Sequence, residues 1–180
     1  MNHPKMRYTY VGIDSHKLTH TAVFIDCFFE KLGEITFENL PSKFEAFLGG
    51  ALKYQAEGTV LLFGLEDVTD YGRTLVAFLI DHKQQVKHVN GFLVARERKN
   101  QNIAEKTDAV DAECAARVLL SRFNSLPDAK ALDRYWVLRT LVIRRDFIVR
   151  NNTALKNSLH TLLTQHFPNY QNFFGNISGN

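Results

Sequence analysis

The first ninety residues alternate apolar runs typical of strands with amphipathic runs typical of helices. Runs rich in β-branched and aromatic residues predict strands over 7–14, 19–28, 33–38, 58–66 and 85–90. Apolar residues three and four positions apart predict a helix that begins at Pro41 and a second helix over 71–82. The first three strands are close enough along the chain to form an antiparallel meander. This order of elements predicts an α/β fold built on a mixed five-stranded sheet with flanking helices.

The second half of the chain is predicted to be mainly helical. Residues 91–106 are polar and have no clean period, so we expect a mobile or partner-dependent segment there. A helix is predicted over 108–122, followed by a turn-rich break over 124–130. A long helix over 131–166 ends before Pro168 and repeats an apolar residue every seven positions, at Leu141, Ile148, Leu155 and Leu162. The repeat predicts a coiled-coil or helical-hairpin arm, through which we expect a homodimer or a higher homo-oligomer.

The length of the chain allows one sizeable domain with an extension, since it has 180 residues. We predict a compact domain over 1–125, the helical arm over 131–168 and the start of a linker over 169–180. No apolar run approaches the roughly 20 residues that span a bilayer, so no membrane partner is expected. The N-terminus lacks the pattern of a signal peptide. The two cysteines are far apart without a CxxC pattern, which favours reduced thiols in a cytoplasmic protein.

Charge is unevenly distributed along the chain. Residues 1–90 carry 9 Lys and Arg against 11 Asp and Glu, whereas residues 91–180 carry 13 against 8. The predicted long helix is rich in arginine, at Arg134, Arg139, Arg144, Arg145 and Arg150. A basic second half favours a polyanionic partner such as DNA or RNA.

Four acidic residues occupy positions from which folding can bring them to one point. Asp14 ends the first strand, Glu66 ends the fourth, and Asp108 and Asp111 lie three apart at the start of a predicted helix. Hard divalent cations prefer oxygen ligands. Carboxylates about 4 Å apart would repel by roughly 4 kcal/mol per pair at an effective dielectric constant near 20, so convergence implies bound cations. The spacing predicts a site for two Mg²⁺ ions, with Mn²⁺ as the alternative, that cuts phosphodiester bonds.

Each carboxylate also has a simpler explanation. Asp108 and Asp111 could be a helix cap and a first-turn acid, which stabilise a helix N-terminus by roughly 0.3–1 kcal/mol. Asp14 could accept a hydrogen bond in a turn. The end of the fourth strand offers three acids, and which of them ligates metal stays open among Glu66, Asp67 and Asp70.

Basic residues and histidines surround the predicted acid site in the sequence. Lys17 follows Asp14 closely and could contact a phosphate, although a solvated turn lysine is the simpler explanation. A basic stretch before the third motif could clamp a nucleic-acid backbone or form a solvated loop, and it comprises Arg96, Arg98, Lys99 and Lys106. His16 and His20 could transfer protons. Because the seven histidines show no metal-binding spacing, we expect ordinary structural roles for them.

Three segments together resemble a known family. They are VGIDSHK around Asp14, LEDVTDYG around Glu66 and KTDAVDAECAARVL around Asp108 and Asp111. They resemble the DEDD transposases of the insertion sequence 110 group and the related pilin-gene invertases. The third motif, KTDxxDA, is the most specific, and all three agree in order and spacing. The resemblance covers the chain from about Tyr10 to the long helix.

The resemblance implies a bacterial enzyme with an RNase H-like (RuvC-like) domain whose four acids bind magnesium. In order along the family's tetrad, they are Asp14, Glu66, Asp108 and Asp111. The resemblance also implies a helical extension for oligomerisation, a structured RNA that guides the choice of DNA, and action at the nucleoid in the cytoplasm. In that family a C-terminal domain carries a serine that becomes joined to DNA, and we expect this chain to be the half without it.

The sequence therefore predicts the metal-dependent strand cleavage and transfer domain of a DNA transposase. One departure from the family pattern is the second motif, where Asp70 adds an acid close to Glu66. Two rival hypotheses remain: a nuclease that resembles the Holliday-junction resolvases, and a non-catalytic module for nucleic-acid binding and oligomerisation. An actin-like ATPase would need a second Asp-Gly phosphate loop, which the sequence lacks.

Overall fold

The computed structural model describes residues 3–102, 105–130 and 136–173. The chain divides into two compact units, Met1–Ala131 and Leu132–Asn180. The first unit carries a five-stranded sheet with helices on both faces, and the second carries one long helix. No described helix is long and apolar enough to cross a membrane.

The sheet of the first unit is mixed, in the strand order β3-β2-β1-β4-β5. β1 pairs antiparallel with β2, and β2 pairs antiparallel with β3. β1 pairs parallel with β4, and β4 pairs parallel with β5. The strands are β1 (Tyr8–Ser15), β2 (Thr19–Ile25), β3 (Lys31–Glu38), β4 (Val60–Leu65) and β5 (Gln85–His88). The prediction of a mixed, RNase H-like sheet that begins with an antiparallel meander is confirmed.

Helices cover the two faces of this sheet. One face packs against α1 (Pro41–Ala51) and α2 (Arg73–Asp81), with a core that includes Phe44, Phe47, Phe63 and Leu75. The other face packs against α4 (Asp108–Arg122), and α3 (Gly91–Asn100) packs against α4. The core on that side includes Tyr10, Leu62, Ala116 and Leu119. Successive side chains of a strand point to opposite faces of the sheet. The central strands are covered on both faces, and their sequences are therefore continuously apolar.

The expectation of a mobile segment over 91–106 is wrong for its first ten residues, which form α3. Asn90 caps this helix, because its side-chain oxygen accepts a hydrogen bond from Phe92 N at 2.8 Å. Val94 is the one buried residue of α3, which packs against α4. A helix with a single buried position leaves hardly any apolar period in the sequence, and that is why the pattern did not reveal it.

Two smaller differences concern strand ends. β3 begins at Lys31, two residues earlier than predicted, and β2 ends at Ile25, three residues earlier than predicted. Asp26 ends β2, because its Oδ1 accepts hydrogen bonds from Phe28 N and Glu30 N at 2.8 and 2.9 Å. Such an Asx-type turn is a local side-chain effect that the alternation of apolar residues does not report.

The second unit is built on α5 (Trp136–His166), a helix of 31 residues in which no residue is buried. The predicted start of this helix at 131 lies outside the described residues. Its heptad positions Leu141, Ile148, Leu155 and Leu162 are all exposed. After α5 the chain forms a short 3-10 helix, Tyr170–Asn172, and the Tyr170 ring packs against His160. The remainder of the predicted linker, from 174 onward, lies outside the described residues.

Candidate active site

Asp14 and Glu66 lie at the same edge of the sheet. β1 and β4 are parallel neighbours with Ile13 opposite Leu65, so the next residue of each strand reaches the same edge. Alternation along the strands puts Asp14 on the side of Gly12, and Glu66 on the side of Gly64. Both glycines face α4, since a Cβ on Gly12 would lie 2.0 Å from Ala112 O, and one on Gly64 would lie 3.0 Å from Leu119 Cδ2. The two acids therefore face the helix that carries the other two.

The start of α4 brings Asp108 and Asp111 to this edge. Thr107 caps the helix, because its Oγ1 accepts a hydrogen bond from Val110 N at 3.2 Å. The buried face of α4 is lined by small residues, Ala112, Ala115 and Ala116, which let its backbone lie directly on Gly12. The first turn of the helix then lies beside the end of β1. The positive end of the helix dipole favours acidic side chains at this position.

Asp14, His16 and Asp108 form a group of potential metal ligands. His16 Nδ1 lies 3.5 Å from Asp14 Oδ2 and 3.9 Å from Asp108 Oδ2. One ligand atom from each of the three residues lies within 4.8 Å of the others. In the part of the chain that the structure describes, this is the only such group of three. His16 was not predicted to be a metal ligand. It follows Asp14 by two residues, and both side chains lie on the same side of the strand end.

The electrostatics of Asp14 reflect the crowding of carboxylates. Burial is the largest cause that raises its pKa, from 3.8 to about 6. The negative charges of Asp108, Asp111 and Glu66 raise the pKa further, and His16 opposes them. The other three predicted acids thus all raise the pKa of Asp14, although the four come from segments almost a hundred residues apart.

Glu66 lies beside the N-terminus of α3. A Cβ on Gly91 would come within 2.1 Å of Glu66 Oε1, so any side chain there would displace this carboxylate from its present position. Gly91 follows the helix cap Asn90 and is the first residue of α3. The free backbone amides at a helix N-terminus favour a negative group in this position.

Asp111 is held by two basic side chains. Arg98 Nη1 on α3 donates to Asp111 Oδ1, and Lys106 Nζ lies 3.8 Å from Asp111 Oδ2. The Asp111 side chain is only 11% exposed, and a carboxylate buried to this extent needs a counter-ion. Two of the residues predicted to bind nucleic acid therefore contact the acid site.

The carboxylate of Asp67 accepts hydrogen bonds from the backbone of the loop that follows it. Its Oδ1 accepts hydrogen bonds from Thr69 N and Asp70 N at 2.9 and 2.8 Å, and its Oδ2 accepts one from Tyr71 N at 2.7 Å. Burial alone would raise the pKa of Asp67, but these backbone hydrogen bonds outweigh burial and lower it. With both oxygens engaged, Asp67 orders the turn between β4 and α2, and Glu66 is the acid that acts electrostatically on Asp14.

The remaining predicted residues lie around the site or away from it. Lys17 is exposed in the turn after His16, and Lys99 is exposed on α3. Arg96 lines a cleft of about 120 Å³ between α3 and α4, together with Asn100, Ser121 and Arg122. His20 is buried against the rings of Phe37 and Phe44. Burial lowers the pKa of His20, so it is neutral at pH 7.

The donor atoms of the site fit a divalent cation. Two carboxylates and an imidazole are ordinary ligands of Mg²⁺, Mn²⁺ or Zn²⁺. Ligand atoms at about 2.1 Å from an ion lie about 3.0–3.4 Å apart, slightly closer than the separations between His16, Asp14 and Asp108. Charge supports the same conclusion, since a cation would relieve the repulsion that raises the pKa of Asp14.

Comparisons with known proteins agree with the resemblance of the three motifs. A family model described as a transposase, that of the DEDD transposases of the insertion sequence 110 group, matches residues 11–168. No curated protein matches the chain. Among solved structures, the chain is similar to T. thermophilus RuvC in complex with a Holliday junction substrate. That likeness has 11% identity and a TM-score of 0.46 over 66% of this chain and 97% of the other, and it carries no argument about function.

Proposed function

This chain belongs to the DEDD transposases of the insertion sequence 110 group, and we propose that it cleaves and transfers DNA strands at a metal site formed by Asp14, Glu66, Asp108 and Asp111. The observation that carries the proposal is geometric: ligand atoms of Asp14 and Asp108 lie within 4.8 Å of each other at the sheet edge that Glu66 also reaches, beside the first helical turn that carries Asp111. A nuclease of this kind needs such a cluster, whereas caps and turns do not.

The four carboxylates would hold two Mg²⁺ ions, or two Mn²⁺ ions. Such a pair supplies activation of the attacking oxygen and stabilisation of the departing 3′ oxygen. Asp14 and Asp108 hold the oxygen ligands closest to His16, and Glu66 and Asp111 complete the cluster from the neighbouring strand and the same helix. Asp67 keeps the turn after Glu66 ordered, so that this carboxylate stays at the sheet edge.

Basic residues close to the site would bind the DNA backbone. Lys17 and Lys106 are exposed beside the acids, and Lys99 is exposed on α3. Further along α3 and α4, Arg96 and Arg122 line a cleft of about 120 Å³ together with Glu97, and these two arginines would extend the surface that contacts the backbone. Arg98 contacts Asp111 in the metal-free protein and would be free to turn toward a phosphate once a cation neutralises that acid.

The second unit would serve assembly and RNA binding. α5 exposes a row of apolar heptad residues, which a partner helix of a second copy would bury. Its arginines favour a polyanion, and we propose a structured guide RNA as that partner. Action at the nucleoid in the bacterial cytoplasm is part of the same proposal.

The experiment is a cleavage assay on labelled duplex and branched DNA with Mg²⁺, with Mn²⁺ and with a chelator. The proposal expects metal-dependent nicking that Asp108→Asn lowers by at least about 100-fold. Asp128→Asn is the matched control, because Asp128 is not one of the four clustered acids and pairs with Lys87 at 2.7 Å. Metal-dependent nicking that is unchanged in Asp108→Asn would contradict the proposal.

The same assay separates the rival hypotheses. Efficient, symmetric cutting of a four-way junction would favour a resolvase over a transposase domain. Binding of DNA without any cleavage in either metal, and with no effect of the carboxylate variants on metal binding, would favour a non-catalytic module.

A further inference from the structure

His16 lies within ion-pair distance of two acids and forms a hydrogen bond with neither of them. Its Nδ1 lies 3.5 Å from Asp14 Oδ2 and 3.9 Å from Asp108 Oδ2. A charge-assisted hydrogen bond between these atoms would be about 2.7–2.9 Å long. The imidazole therefore lies near two carboxylate oxygens from different elements without closing on either of them.

These separations suit three ligands of one cation. The ligand atoms of Asp14, His16 and Asp108 all lie within 4.8 Å of one another. Around an ion with bonds of about 2.1 Å, neighbouring ligand atoms are about 3.0 Å apart in an octahedron and about 3.4 Å apart in a tetrahedron. A shift of a few tenths of an ångström at the half-exposed His16 side chain would complete such a set.

The backbone of His16 is fixed, so the imidazole is presented by an ordered turn. His16 N donates to Thr19 O at 3.0 Å, which closes the turn between β1 and β2. Asn39 Nδ2 donates to His16 O at 3.4 Å and to Tyr71 O at 3.2 Å, which ties this turn to the loop before α2. The side chains of His16 and Asp14 extend to the same side because the two residues are two apart at a strand end.

We propose that His16 is a nitrogen ligand of the cation that Asp14 and Asp108 bind, and that it makes this position prefer Mn²⁺ to Mg²⁺. Imidazole binds first-row transition ions well, whereas Mg²⁺ favours carboxylates and water. The inference rests on the proposed metal site and adds a ligand and an ion preference to it. The metal position at Asp14 thus has a mixed nitrogen and oxygen donor set.

Pulsed electron paramagnetic resonance of the Mn²⁺-loaded full chain tests this inference, because it detects nitrogen bound to the ion. We expect nitrogen coupling in the wild type and in His82→Ala, and its loss in His16→Ala. His82 is the matched control, since its Nε2 also lies near a carboxylate, 3.3 Å from Glu45 Oε2, but on the face of the sheet that α1 and α2 cover, opposite α4. Mn²⁺ affinity should fall by about tenfold or more in His16→Ala, and Mg²⁺ affinity by less than about threefold.

The outcomes separate this inference from the proposed function. Nitrogen coupling that persists in His16→Ala, or Mn²⁺ binding that depends on Asp14 but shows no nitrogen coupling, would overturn the role of His16 and leave the carboxylate site intact. Metal binding that does not depend on Asp14 or Asp108 would overturn both. Circular dichroism of His16→Ala checks the fold, which should be unchanged because the side chain is 51% exposed.

Discussion

The guanidinium of Arg98 on α3 binds the carboxylate of Asp111 on α4, one helical turn from Asp108 of the candidate metal site. The Asp111 and Arg98 side chains are 11% and 22% exposed, so water neutralises neither of them fully. Lys106 adds a second positive charge at 3.8 Å. The protein thus compensates part of its acidic cluster with its own cations, and a bound metal would compete with Arg98 for Asp111.

Replacing Arg98 should make the stability of the protein depend on metal. In Arg98→Gln, Asp111 loses its closest counter-ion, so we expect the metal-free protein to lose about 1–3 kcal/mol of unfolding free energy. Saturating Mg²⁺ should restore most of this loss, because the ion supplies the missing positive charge. Urea denaturation with a chelator and with Mg²⁺ measures both values.

Arg117→Gln is the control for this prediction. Arg117 binds Glu113 on α4 at 2.8 Å, with side-chain exposures of 24% and 25%, so the pair is similar in burial but lies outside the acid cluster. We expect Mg²⁺ to leave the stability of Arg117→Gln unaltered. An equal benefit of Mg²⁺ in both variants would show that the cation acts elsewhere.

The pH dependence of stability should report the raised pKa of Asp14. Because its folded pKa is raised from 3.8 to about 6, the neutral form is favoured, and the associated stability is present below about pH 4 and lost as pH rises through 6. Asp14→Asn stays neutral, so without metal it should exceed the wild type by about 1–2 kcal/mol near pH 7, after allowance for solvent screening. The two proteins should be equally stable near pH 4. A difference that is constant across this range would contradict the assignment.

The pH dependence of metal affinity should also report the protonation of Asp14. A proton on Asp14 competes with the cation, so Mg²⁺ affinity in the wild type should fall as the pH drops below about 6. Calorimetric titration at several pH values measures the trend. An affinity that stays level between about pH 5 and about pH 8 would mean that Asp14 is not a ligand.

Gly91 should be required for the site more than for the fold. A Cβ at this position would come within 2.1 Å of Glu66 Oε1 and displace the carboxylate. We expect Gly91→Ala to lower metal affinity by about tenfold or more while stability changes by less than about 1 kcal/mol. Gly49→Ala in α1 is the control, since a Cβ there meets nothing within 4 Å, and this variant should bind metal normally and gain about 0.5–1 kcal/mol of stability.

The apolar heptad positions of α5 should hold copies of the chain together. Leu141 and Leu155 are 61% and 71% exposed, which leaves their apolar surface open to a partner helix. We expect the double variant Leu141→Lys, Leu155→Lys to be monomeric in sedimentation analysis at concentrations where the wild type is dimeric or larger. Leu52→Lys, at an exposed leucine of the first unit, should keep the wild-type state. A wild type that is already monomeric would refute the role of α5 in assembly.

Much of the fold could be predicted because the central strands are continuous apolar runs. The ends of the apolar runs in β1 and β4 also identified Asp14 and Glu66 as strand-end residues, and this is the part of the site that the apolar pattern reports. α3 was missed because Val94 is its one buried residue, and helical period is visible only when several positions face the core. The limits of the turn after β2 depend on the Asp26 side chain, which acts locally.

The rest of the site depends on contacts between residues of different helices and strands, which cannot be read from the sequence. Arg98 was expected to bind phosphate, but its partner Asp111 lies on another helix. The spacing of the histidines predicted no metal-binding role for His16. One of its two partners, Asp108, comes near only because α4 packs on Gly12, and the sequence does not show this packing. From the sequence, Asp67 and Glu66 are equally good candidates for a metal ligand. The structure separates them, because backbone N–H groups of the following turn occupy the carboxylate of Asp67.

The most direct test of the central claim is a double-mutant cycle on Mg²⁺ affinity, measured by calorimetry with Asp14→Asn, Asp108→Asn and the combined variant. If both carboxylates bind the same ion, each single change should weaken binding by about tenfold or more, and the double variant should be hardly weaker than the worse single variant. Losses that multiply in the double variant, or wild-type affinity in Asp14→Asn, would mean that these two acids do not share a cation.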